Sequence, residues 1–159
     1  MDENAASFDI LDIALRLGAA VIVGIVIGIN RDMINKPIGM RTLGLVSLGA
    51  AVVSLSTIHF EGLTHHPDAL SRVVQGVIQG IMAGIGFIGA GVILRDRETK
   101  TVKGLTTAAT VWVTAALGIA CGLAAWTIVG LSVALALFLL VGMGWLEAAY
   151  AGESGEEKD

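Results

Sequence analysis

Charged side chains are scarce in this chain and unevenly placed. Four stretches contain no Asp, Glu, Lys or Arg at all: residues 17–30, 42–60, 73–94 and 104–146, of 14, 19, 22 and 43 residues. With 55% hydrophobic residues and a mean hydropathy of +0.80, the chain is too apolar for a soluble domain of this size. Apolar runs of 18 or more residues reach across a hydrocarbon core of about 30 Å. A soluble enzyme and a nucleic-acid-binding domain are excluded. The single cysteine, Cys121, has no partner for an intramolecular bridge, which excludes a disulfide scaffold. The N-terminus lacks the basic start of a signal peptide. It carries Asp2, Glu3 and Asp9, and the first apolar run is expected to be retained as a span.

The apolar runs divide into an all-α, polytopic membrane protein with five transmembrane helices. The spans are expected at about 10–30, 42–58, 70–94, 104–120 and 123–146. The 43-residue run would be about 65 Å long as one helix, so it is split into a hairpin with its turn at Cys121-Gly122. Residues 1–9 are then an acidic outer N-terminus, 10–148 the membrane domain and 149–159 an acidic tail with nothing to bury. Arg31, Lys36 and Arg41 share one side with Arg95, Arg97, Lys100 and Lys103, seven of the ten Lys and Arg residues. Short basic loops stay cytoplasmic, which puts the N-terminus outside and the C-terminus inside.

Gly84, Gly86 and Gly89 match a dinucleotide-binding fingerprint by letter only. They lie deep in an apolar run, with no strand before them and Gly104 where an acid is needed. Gly76, Gly80 and Gly84 fall at four-residue steps, followed by Gly86, Gly89 and Gly91. Such a line permits close backbone approach, so the third span is expected at the bundle centre or in a subunit interface of a homo-oligomer. Gly24/Gly28 and Gly118/Gly122 form weaker pairs of the same kind. Thr106, Thr107, Thr110 and Thr114 form a polar stripe whose hydroxyls either line a pathway or bond back to their own i−4 carbonyls; the second is preferred. Gln75 and Gln79, amides in a lipid-level helix, are expected to face protein or a cavity. Asp12 and Arg16 share a helical face. His59, His65 and His66 gather on the outer side without any defined metal spacing, and they read as a solvated loop. No nucleophile–histidine pairing and no mid-membrane carboxylate is visible, so neither catalysis, a cofactor nor a bound metal is expected.

Four blocks in order carry a family resemblance. They are Gly28-Ile-Asn-Arg31, Lys36-Pro-Ile-Gly-Met-Arg41-Thr42, Gly84-Ile-Gly-Phe-Ile-Gly-Ala-Gly-Val-Ile93 and Gly104-Leu-Thr-Thr-Ala-Ala-Thr-Val-Trp112-Val-Thr. The chain resembles the MgtC/SapB family of bacterial inner-membrane proteins, in a short form without the soluble C-terminal domain of its virulence members. The resemblance implies a link to growth at low Mg²⁺ and to virulence. It also implies a regulator acting on other membrane proteins, the F-type ATP synthase among them, with Mg²⁺ transport as the alternative. It points to Asn30, Arg31, Asp32, Gly39, Arg41 and Thr42, where family members usually carry an acid in place of Asn30. Arg41 is either an anchor to lipid phosphate or a forked partner of Asp32 or of a third-span carbonyl that orders a docking loop. The second is the expectation taken forward.

Overall fold

The structure, a computed structural model, describes residues 3–59, 67–95 and 101–143. His65, His66, Arg97, Lys100 and the 149–159 tail lie outside the described residues. Five helices are found among the described residues. They are α1 (Glu3–Met33), α2 (Met40–Ile58), α3 (Pro67–Val92), α4 (Leu105–Gly122) and α5 (Trp126–Leu137), the last running into a single π-helical turn, Phe138–Gly142. Helices α1 to α4 are long and apolar enough to cross a membrane; in α1 the apolar stretch is Ile10–Met33. Helix α5 with its π turn adds about 25 Å of apolar helix at 1.5 Å per residue. A ribbon of two residues a side, Leu94–Arg95 against Val102–Lys103, links α3 to α4 and leaves the class all-helical.

Helix α4 is the axis of the bundle. Ten of its 18 residues are buried, against seven of 19 in α2. Ala20, Val23 and Ile27 of α1, Leu43 and Ala51 of α2, and Val111, Leu117 and Cys121 of α4 form the main core, with Val129 of α5 at its edge. Small residues set the helix spacing. A methyl group at Gly24 or Gly28 would run into the α2 backbone at Leu43–Gly44 or Gly39–Met40, and one at Gly118 or Gly122 into the α2 backbone at Ser47 or Ala51. The weaker glycine pairs of the sequence therefore mark the tight α1–α2 and α2–α4 contacts.

Of the two places expected for helix α3, the bundle centre is not the one it takes. Gly76, Gly80, Gly84, Gly86 and Gly91 have no neighbour that an added methyl would meet, and only Gly89 sits against α4, at Ala108. The inward face of α3 is instead Val74, Val77, Ile78, Ile81, Met82 and Ile85, partly buried at helical spacing, with Ile78, Ile81, Met82 and Ile85 packed on Ala50, Ala115 and Ile119. That apolar stripe turns the glycines, Gln75 and Gln79 outward. Neither amide makes a hydrogen bond among the described residues. Within one chain α3 is peripheral, not central.

The α4–α5 turn also differs. Helix α4 continues through Gly122, and the chain reverses at 123–125. Ala124 adopts φ 55° and takes the role usually given to glycine, while Ala124 N–H bonds Cys121 O and Ala125 N–H bonds Ala120 O. The same pattern closes α1, with Asn35 at φ 50°, Asn35 N–H on Asp32 O and Lys36 N–H on Arg31 O.

Candidate functional site at the α1–α2 junction

Two consecutive residues at the end of α1 serve two different neighbours. Arg31 turns inward and is only 2% exposed; its Nη2 donates to the Thr107 hydroxyl in the first turn of α4. Asp32 turns outward, and its Oδ2 accepts the Met40 N–H at 3.0 Å. Gly39, the residue preceding α2, offers no side-chain cap, so Asp32 caps the helix from eight residues upstream. A carboxylate at a helix N-terminus satisfies an orphan N–H and meets the positive end of the helix dipole. Gly39 makes room for it, because a methyl there would overlap the Asp32 carboxyl group. Ile38, held at φ 67°, packs its side chain against the core.

The expected fork between Arg41 and Asp32 does not form. Asp32 is engaged by Met40 N–H, and Arg41 is exposed, without a hydrogen bond or ion pair among the described residues. Thr42 is exposed beside it. Asn30 is half-buried, and its Oδ1 and the Arg31 Nε are buried atoms without partners. The six residues indicated by the resemblance thus meet at one corner, but they divide into an inward arm on α4, a cap on α2 and a free cation.

The threonines of α4 are largely occupied. Thr110 donates to Thr106 O at 2.7 Å and Thr114 to Thr110 O at 2.8 Å, the back-bonding expected of such residues in a helix. Thr107, buried, is the exception, tied to Arg31, and Thr106 is exposed. At the other end of α1, Arg16 pairs with Asp12 at 2.7 Å, and its Nη1 also donates to the Gly122 carbonyl at 3.1 Å. Helix α1 is therefore fastened to both ends of α4 by arginines about 22 Å apart along its axis. The i, i+4 spacing announces the Asp12 pair; nothing in the sequence announces either link to α4. His59 is exposed, with Nδ1 3.2 Å from Leu55 O. Among the described residues, no three His, Cys, Asp or Glu side chains stand together.

The resemblance seen in the sequence is matched by comparison with known proteins. A profile described as the MgtC family matches residues 17–149. The chain is 50% identical over 125 residues to protein SrpB of Synechococcus elongatus, covering 72% of this chain and 66% of SrpB. It is 41% identical over 123 residues to protein MgtC of Salmonella typhimurium, covering 77% of this chain and 47% of that protein. Protein SapB of Bacillus subtilis is 37% identical over 114 residues, with 70% of this chain and 47% of SapB covered. The chain thus spans just under two thirds of SrpB and about half of MgtC and SapB. No solved structure matches. A match over residues 17–149, every helix from within α1 onward, places this multi-pass membrane protein in the MgtC family.

Proposed function

We propose that the protein is a non-catalytic regulator that acts by contact with other proteins of the bacterial inner membrane, with its N-terminus outside and its C-terminus in the cytoplasm. The observation that carries this reading is the closed centre of the bundle. Helices α1, α2 and α4 meet through glycines at backbone contact, and Thr110 and Thr114 spend their hydroxyls on their own helix. Among the described residues, the buried side-chain oxygens without a partner are Asn30 Oδ1 and Ser47 Oγ, too few for a hard cation, which needs about six oxygen ligands. The outward face of α3, lined by Gln75, Gly76, Gln79, Gly80 and Gly84, supports the contact half of the reading. Small residues let a second helix approach closely, and an amide facing lipid gains from a protein partner. A second copy and a larger assembly such as the F-type ATP synthase are both candidates. The link to growth at low Mg²⁺ and to virulence comes with the family resemblance.

The test is Mg²⁺ flux into liposomes containing the purified protein, paired with crosslinking in native membranes through a cysteine at Gly80. Crosslinked products with flux at the level of empty liposomes are expected. Protein-dependent, saturable flux would replace regulation by transport.

A further inference from the structure

Beside the capped start of α2 lies a groove of about 250 Å³ between α1 and α2. Val21, Ile25, Leu45 and Leu48 form its walls, Gly44 leaves it open, and Arg41 stands at the end where α2 begins. From Arg41 to Leu48 it runs about 10 Å along α2. Its volume is below the ~300–1,000 Å³ of a drug-sized site, and a packed helix, about 10 Å across, is far too wide for it. A single hydrocarbon chain fits. Arg41 is the charged residue of the lining, and the Asp32 carboxylate near the start of α2 is engaged by the Met40 N–H. Arg41 has no hydrogen-bond or ion-pair partner among the described residues. A guanidinium binds phosphate oxygens through parallel N–H donors, and its positive charge favours a headgroup with net negative charge.

We propose that this groove is a binding site for one anionic phospholipid, with part of an acyl chain between α1 and α2 and the headgroup phosphate on Arg41. The site assigns Arg41 a ligand in place of the missing Asp32 fork. It also explains why Gly44, which no close backbone contact requires, is suited to being small: a methyl there meets Ile25 at 3.5 Å, an ordinary contact that would begin to fill the groove.

The experiment is native mass spectrometry of the full chain released from mild detergent containing equal amounts of phosphatidylglycerol and phosphatidylethanolamine. Wild type should retain one phosphatidylglycerol in preference to phosphatidylethanolamine by about fivefold, the usual effect of one basic residue against anionic lipid. Arg41→Gln should bring that ratio close to one, while Arg41→Lys keeps most of it. Gly44→Val should lose both lipids with an unchanged melting temperature. Leu45→Trp, from the exposed wall, serves the same purpose if Gly44→Val fails to fold. Phosphatidylglycerol retained by Arg41→Gln as by wild type, or retained after both groove-filling changes, would overturn the site. So would displacement of the lipid by an equal concentration of glycerophosphate, which lacks the chain.

Discussion

At the scale of single residues, the junction depends on side chains that divide their duties, and Asp32 with Gly39 is the clearest case. The Asp32 cap should be worth about 1 kcal/mol, so Asp32→Ala should lower stability by about that much. Gly39→Ala should cost about the same, because its methyl displaces the carboxylate from Met40 N–H. The two changes break one interaction, so in the Asp32→Ala background Gly39→Ala should be nearly free. A double-mutant cycle on denaturation midpoints in detergent checks this, and additive costs would mean that Gly39 is needed for some other reason. Arg41 is predicted from the same corner. With no forked partner for Arg41 among the described residues, Arg41→Lys should rescue low-Mg²⁺ growth of a strain lacking the protein almost as well as wild type, because a lipid phosphate needs mainly the point charge.

At the scale of helices, the glycines separate by what faces them. Gly118→Leu pushes a side chain into the Ser47 backbone and should cost about 1–3 kcal/mol or more, seen as loss of folded protein in membranes. Gly84→Leu enters open space and should leave the single chain folded, while abolishing the Gly80 crosslink if α3 is a contact face. Equal damage at both sites would show that α3 is packed as tightly as α4. The end of α4 gives a change in the opposite direction. Ala124 holds a left-handed conformation that disfavours an L side chain by about 1–2 kcal/mol. Ala124→Gly removes that strain, at a smaller cost in unfolded-state entropy. A gain of about 0.5–1 kcal/mol in a detergent melt is expected.

At the scale of the molecule, two arginines fasten α1 to the ends of α4, and glycines hold α2 against both. The result is a three-helix centre with α3 and α5 outside it. Orientation rests on the cations. A cysteine in place of Lys36 should resist an impermeant thiol reagent in intact cells, whereas one in place of Thr64 should react. Labelling at 36 would place the junction and its lipid site on the outer face.

Membrane residence and helix number are determined by the sequence alone, because the cost of putting charge into hydrocarbon is paid locally, residue by residue. The Asp12–Arg16 pair is local in the same sense, one helical turn apart. The outward turn of the α3 glycines is legible too, in Val74, Val77, Ile78, Ile81, Met82 and Ile85, whose helical spacing marks the partly buried stripe opposite them. The tertiary structure decided which glycines touch backbone, since that depends on what another helix places opposite. It decided that Arg31 reaches Thr107, 76 residues away, and that Asp32 spends its charge on Met40 N–H, so that Arg41 has no partner among the described residues. Those pairings depend on the distance between chain segments in space, which local sequence pattern does not encode.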